Sequence, residues 1–507
     1  MSFPWALSMC VGFLSLSQEI LWMRYVGFSG QTIPWAFSFV LTIYLLGIAR
    51  GAMIGRSYCE STSRLYTVAG VALQIAGALD VIAPPLVGIP GLHSAFHILL
   101  IPAIYLCSLL KSIAFPIAHH LGSSATSGKV GKSISRVYFM NIIGSSMGPL
   151  LTGFWLVDHV SLQTAMQIMG VLSCLLGFFC VARENKGKFA ALSACAVLLL
   201  SGSFLQPDYL TKMLACYPVD KGGLRRIIET KEGIIHSSLS NEGGGDYTYG
   251  GNVYDGRSNI SPRGDSNTLE RVFVLAALRP QPEKVLVIGM SSGAWLRILT
   301  GFPGVKSIDV VEINPGYLQL IKDYPDISPM LKDPRVHIHI DDGRRWLKRH
   351  PEEKFDLFVM NTTYYWRSYI TNLLSQEFLR MAQQHLTPGG VIAYNTTYSP
   401  DVLTTAESVF HYAFGYMNFV IASDSDFRPL TKTGREQLLK IRLDGKPVFD
   451  PHNQQDINFI NRTLSIPFMN SAEQSPILRR DGEIITDWNM ITEFKHGRSM
   501  ALFCNQR

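Results

Sequence analysis

The chain divides in two near Leu205, and that division limits the possible folds more than any motif does. Before it, apolar runs of roughly twenty residues follow one another, each long enough to cross a bilayer as a helix. Seven such runs lie near Pro4–Val26, Ile33–Ile54, Leu65–Val87, Ala95–Ile117, Val137–Val157, Leu162–Val181 and Phe189–Leu205. After Leu205 the mixture of residues is that of a soluble domain. Whole-chain averages blur the split: 47% hydrophobic and 17% charged over 507 residues is apolar for a soluble enzyme. A chain of this length also exceeds one hydrophobic core. Met1 opens almost directly into the first run, without a signal-peptide pattern.

Nearly all the Lys and Arg of the apolar half lie in three connections, Arg50–Arg64, His119–Arg136 and Arg183–Lys188. By the positive-inside rule these are cytoplasmic. The reading drawn from them puts the N-terminus outside and, with seven spans, the soluble domain on the cytoplasmic side with the basic loops. Glu19, Arg24, Asp80 and Lys111 fall inside or at the edge of spans, where charges face a bundle interior or an aqueous cavity. Glu19 and Lys111 either belong to a substrate or proton path or form interhelical pairs that fix packing. Gly47-Ile-Ala-Arg-Gly51 and Gly144-Ser-Ser-Met-Gly148 allow close helix packing. A net charge of +6 without a dense basic stripe argues against nucleic acid as a partner. Eight cysteines without a CxxC pair, only Cys216 and Cys504 of them in the soluble half, indicate neither a metal site nor a disulfide framework.

In the soluble half, Arg226–Glu229 and Gly233–His236 read as short strands. A glycine-rich hairpin follows over Gly243–Gly251 and Asn252–Arg257, then a helix from about Asn267 to Leu278. Val285–Ile288 is a buried strand, Gly289–Gly293 a tight turn and Trp295, Leu296, Ile298 and Leu299 one helix face. Ile308–Ile313 is a second strand with Glu312 at its end. Strand, glycine turn, helix, strand and an acid about twenty residues beyond the turn is how nucleoside-binding α/β folds are arranged. Glycines admit the ligand to the backbone, and the carboxylate accepts from ribose hydroxyls. A helix over Tyr317–Tyr324, strands at Val336–Ile340 and Phe355–Met360, a helix over Ser375–His385, the turn Thr387–Gly390 and strand Val391–Tyr394 complete a doubly wound parallel sheet. Chemistry is expected at the strand ends: Gly289, Glu312, Asp342, Asn361 and Asn395.

In their order, Val285–Gly293, Val311-Glu-Ile-Asn314, Asp341-Asp-Gly343, Phe355-Asp356 with Asn361, and Leu386-Thr-Pro-Gly-Gly390 resemble the motifs of spermidine synthases. These are polyamine aminopropyltransferases, related in fold to S-adenosylmethionine methyltransferases. The apolar half, with Ser17–Arg24, is similar to that of membrane-fused spermidine synthase-like proteins. The resemblance implies an α-helical membrane domain at 1–207, a connector and small β region at 208–282, a Rossmann-like domain at 283–430 and a C-terminal extension at 431–507. It also implies decarboxylated S-adenosylmethionine or S-adenosylmethionine as co-substrate, no metal, a small amine acceptor and the bilayer as a partner. A homodimer stays open.

The nucleoside-binding set implied is Gly289, Ser291, Ser292, Gly293, Glu312, Asp342, Gly343 and Asn361. Two departures touch the reaction. Ser292 stands at the acidic position of the family's glycine loop, and Asn361 and Tyr364 stand where its catalytic loop carries aspartates. Asn361 orients an amine but takes no proton, and Tyr364 is a poor base at neutral pH. Asp246 and Asp255 of the hairpin are the candidates to supply the missing carboxylate. The aromatics of Asn361–Arg367 and Tyr394–Tyr398 are candidates to hold a cation. Asp487 lies in a closing segment seen in fused members. Aminopropyl transfer, methyl transfer on the same fold, and a non-catalytic binding domain on a transport-like membrane unit are the three readings.

Overall fold

The computed structural model describes residues 2–88, 96–123, 130–185, 187–217, 222–241, 243–265, 267–361, 364–478 and 481–494. Thr362, Thr363, Cys504, Ala95 and residues 124–129 of the second basic connection, all named above, lie outside the described residues. Among the described residues, seven helices are long and apolar enough to cross a membrane: Phe3–Ser29, Trp35–Ser61, Leu65–Val87, Leu99–Ser123, Gly131–His159, Leu162–Glu184 and Lys188–Leu205. The first span packs on the fifth, the second on the fourth and the third on the sixth. Glycine makes this closeness possible. A Cβ at Gly47 or Gly51 would fall on Tyr105–Leu109 of the fourth span, and one at Gly144 or Gly148 on Met9 or Phe13 of the first. Both small-residue segments are therefore helix-packing seams. Lys111 Nζ lies 2.6 Å from Asp80 Oδ2, both fully buried, so this lysine is half of an interhelical pair between the fourth and third spans. A pair held off water in this way fixes packing, since removing one partner strands the other charge.

The soluble half begins with a four-stranded antiparallel sheet: β1 (Leu224–Thr230), β2 (Gly233–Ser238), β3 (Tyr247–Gly250) and β4 (Val253–Arg257), in sequential order. The main sheet has seven strands, β5 (Lys284–Ile288), β6 (Ser307–Glu312), β7 (Val336–Ile340), β8 (Phe355–Met360), β9 (Leu386–Asn395), β10 (Tyr412–Tyr416) and β11 (Phe419–Ser423). Their order is β10-β11-β9-β8-β5-β6-β7. β7, β6, β5, β8 and β9 are parallel, whereas β11 joins β9 and β10 joins β11 antiparallel. The five strands expected from sequence are thus parallel as expected, and the sheet extends past them by an antiparallel pair, because the connection between β10 and β11 is a tight turn through Met417 (φ 55°) and Asn418 and only antiparallel strands can be joined so briefly. Thr387–Gly390, expected as a turn ahead of a strand, lies within β9 instead. There the β8–β9 register shifts between Phe355 and Leu357. β5 is buried through its last four residues and forms the topological switch point, with β6 on one side and β8 on the other.

The soluble half meets the bundle at the end formed by the connections after the first and fifth spans. Arg24 Nη2 donates to Thr230 O (2.8 Å), Leu162 N to Glu229 Oε2 (2.9 Å) and Lys231 N to Asp158 Oδ1 (3.1 Å). Thr32 Oγ1 donates to Gly251 O (2.9 Å), while Ser368 N donates to Thr32 O (2.9 Å). Ile234, Val253 and Trp366 share one core with Leu21, Trp22 and Phe28 of the first span. The N-terminus is at the opposite end, where Arg183 stacks over Phe3 and Arg136 over Trp5. This corrects the topology drawn from charge. Connections after even-numbered spans share the side of the N-terminus, and a domain following seven spans lies on the other. Basic loops and soluble domain therefore occupy opposite ends.

Cys216 is disulfide-bonded, and a bond outside any spacing motif leaves no signature in sequence.

Candidate functional site

The site grows from the carboxyl end of β5. Within five residues Gly289 (φ 85°), Ser291 (φ 50°) and Gly293 (φ 78°) take left-handed backbone, folding the chain sharply back into the helix Ala294–Leu299. Gly293 needs to be glycine on two counts. Its φ disfavours a side chain, and a Cβ would meet Ile321, Ile327 and Met330 at 2.9–3.0 Å. It packs in the core and lines neither of the two cavities described below. Gly343 likewise backs against the Ile288 side chain. The two serines of the turn are hydrogen-bonded to the small sheet: Ser291 Oγ donates to Asp255 O (2.7 Å) and Ser292 Oγ to Arg257 O (2.8 Å). Hydroxyls at these positions tie the small sheet's β4 to the turn and fix Asp255 over it.

Around the turn lies a cavity of about 320 Å³. Gly289, Ser291, Glu312, Asp342 and Asn361 line it from the main sheet, Gly250, Gly251 and Asp255 from the small sheet, and Thr32 from the bundle. Glu312 is buried. Its Oε2 accepts from Met290 N and its Oε1 from Asn314 N, both at 2.7 Å. Burial raises its pKa to about 7 against the pull of these backbone donors, so its charge changes near neutrality. Asp342 caps the helix Gly343–Arg349 by accepting from Arg345 N (2.8 Å). Arg344, one residue into that helix, is held by both oxygens of Asp487 (2.8 and 2.6 Å); Asp487 braces the helix and lines neither cavity. Tyr317 Oη donates to Asp255 Oδ2 at 2.7 Å. Burial pushes the Asp255 carboxyl up, opposed by that hydrogen bond, by the Arg367 charge and by Ser291.

A second cavity of about 70 Å³ adjoins the first. Asp255 and Asn361 line both. The rest of the smaller wall comes from Ser292, Tyr364, Asn267, Arg271, Trp295, Asn395, Thr397 and Asn418, with the Tyr254–Gly256 strand above. Of the candidate carboxylates, the fold brings in Asp255 and leaves out Asp246, which accepts from Arg225 Nη1 (2.6 Å) at the hairpin. The aromatic clusters do not converge as expected. Tyr364 faces the smaller cavity, but Trp366 is buried against the spans, Tyr394 inside the sheet, and Tyr398 is 57% exposed. Sequence reasoning missed Tyr317, Arg271, Trp295, Asn267, Asn418 and Thr32. Each sits in a segment whose local pattern reads as plain helix, turn or loop, and only the crossing of chain segments collects them.

Residues 272–421 match the family model described as spermine/spermidine synthase domain, and this part of the chain is a spermidine synthase-type domain. A polyamine aminopropyltransferase of Streptococcus pneumoniae serotype 4 is 33% identical over 124 residues, 24% of this chain and 43% of that protein. Spermidine synthase 1 of Hyoscyamus niger is 32% identical over 143 residues, 28% of this chain and 45% of that one. The chain thus spans less than half the length of these curated relatives. A solved spermidine synthase in complex with the transition state analogue AdoDATO has a TM-score of 0.36 and 17% identity, over 46% of this chain and 82% of that one.

Proposed function

We propose that the chain is a membrane-anchored transferase of the aminopropyltransferase type, acting on an adenosyl sulfonium donor and an amine. The observation that carries this is the junction: one carboxylate and one amide, Asp255 and Asn361, line both cavities. The larger cavity suits the nucleoside, with Glu312 to accept from ribose hydroxyls and Asp342 on the purine side. The donor, decarboxylated S-adenosylmethionine in the relatives' chemistry, supplies a methylene next to a sulfonium; the amine nitrogen bonds to it as the carbon–sulfur bond breaks and methylthioadenosine leaves. Asn361 orients the amine at the junction, and Asp255 takes its proton. A carboxyl raised by burial is a better base than an exposed one, and Tyr317 holds it in position. Purified full-length protein should release methylthioadenosine from decarboxylated S-adenosylmethionine and putrescine, and Asp255→Asn should stop that release. Methyl transfer from S-adenosylmethionine with no methylthioadenosine formed would replace this reading by that of a methyltransferase.

Orientation favours a second reading beside it. By the positive-inside rule the basic end of the bundle is cytoplasmic, which puts the soluble half on the extracytoplasmic face. Disulfide-bonded Cys216 suits that face, where such bonds persist. There a nucleoside has to be delivered, and a binding domain serving the membrane unit without turnover fits as well as an enzyme. Binding of methylthioadenosine with no product from any donor and amine would establish it. A C-terminal reporter active only in the cytoplasm would overturn the orientation.

A further inference from the structure

The smaller cavity carries a charge that a simple diamine would not choose. Arg271 lines it with its guanidinium over the faces of Trp295 (5.2 Å) and Phe419 (5.1 Å). Its nitrogens donate to Thr268 O (2.9 Å), Asn267 O (2.7 Å) and Asn418 Oδ1 (3.2 Å), which are all neutral acceptors. The acids whose charges reach it are Asp265 and Glu270. Asp265 caps Asn267 N and Leu269 N, and Glu270 pairs with Arg462 at 2.6 Å. A desolvated guanidinium among neutral acceptors is poised for an anion, and its fork matches a carboxylate. In the same cavity stands Asp255, the only acid among the described residues of its lining. Thr397 Oγ1, also in the wall, is buried and has no hydrogen-bond partner among the described residues. Amides from Asn361, Asn395 and Asn418 complete a lining able to serve both signs.

We propose that the smaller cavity recognises an amine that also carries a carboxylate, the ammonium facing Asp255 and the carboxylate facing Arg271. This rests on the larger cavity holding the nucleoside, and it narrows the substrate class of the site. Two sources share the chemistry: the methionyl end of S-adenosylmethionine, reaching past Asp255, and a free amino acid acting as acceptor. A plain diamine would meet the guanidinium with like charge.

Calorimetry on the full-length protein in detergent separates these. One arm compares S-adenosylhomocysteine with its decarboxylated counterpart. The other compares 4-aminobutyrate with putrescine while methylthioadenosine fills the larger cavity. Tighter binding of the carboxylated member by about tenfold or more, in the first arm for a donor tail or the second for an acceptor, supports the proposal. Arg271→Gln should erase that preference while methylthioadenosine affinity stays within about twofold. Equal or tighter binding of the decarboxylated member in both arms overturns it, a comparison that needs no variant to fold. Failure of methylthioadenosine to bind removes the nucleoside reading alone; 4-aminobutyrate against putrescine without nucleoside then decides the carboxylate.

Discussion

The two cavities meet at Asp255 and Asn361 and are otherwise built on opposite electrostatic plans. The larger has acids at strand ends, Glu312 and Asp342, with Arg367 at its rim; the smaller has amides, one hydroxyl without a partner among the described residues and the guanidinium of Arg271. The larger keeps the motif order of spermidine synthases. Of the departures that the resemblance implies, Ser292 and Tyr364 line the smaller and Asn361 lines both. On the function proposed above, binding of the nucleoside half and choice of the second substrate would be separable properties of neighbouring walls, joined by a single carboxylate.

Substitutions can test that separation. The largest effect is expected from Asp255→Asn: methylthioadenosine release should fall by about a hundredfold or more, while calorimetry finds methylthioadenosine binding nearly unchanged. An equal loss of binding would show that the two cavities act as one. Next comes Glu312→Gln, which should weaken nucleoside binding about tenfold to a hundredfold. With the Glu312 pKa near 7, wild-type affinity should rise as pH rises through that value, since the carboxylate is the better ribose acceptor; the variant should be flat. The sign for stability is opposite. A carboxyl whose pKa is raised in the fold binds its proton more tightly there, so stability drops as pH climbs from the ordinary glutamate range towards 7. Tyr317→Phe should act on the junction alone. Without its hydrogen bond the Asp255 carboxyl rises further, so the acid limb of the rate profile should move to higher pH with a several-fold loss at low pH. The smallest effect belongs to Asp246→Asn, which breaks a surface pair with Arg225 and should cost about 1 kcal/mol or less with both cavities intact. A loss of turnover there would reinstate Asp246 as a site residue.

What sequence disclosed follows from what is local. Val285–Ile288, Glu312 and Asp342 were legible because a buried strand, a glycine turn and a strand-end acid are neighbours along the chain. Seven long apolar helices were legible because length and apolarity suffice to mark them. Between two hairpin aspartates, the choice of Asp255 was not, since it depends on Ser291 and Ser292 pulling β4 onto the turn. Arg271 sits in a short helix whose neighbours are core residues, and nothing in its spacing distinguishes a cavity wall from a buried anchor. The antiparallel edge lies beyond the strands marked from sequence: β11 is as fully buried as the parallel strand β8, and only its brief connection to β10 gives its direction away.

Thr32 has a consequence beyond its hydrogen bonds. With Gln31 it takes left-handed backbone (φ 59° and 61°), a conformation held by Gly251 and Ser368 of the other half, and it supplies part of the larger cavity's wall. The binding site is therefore not portable. A fragment beginning after Leu205 would inherit the strands, the turn and the acids but would have an unglazed side where the bundle now stands. The spans are part of the vessel as well as its mooring, and any tilt of the first two helices is also a change in the shape of what they help enclose.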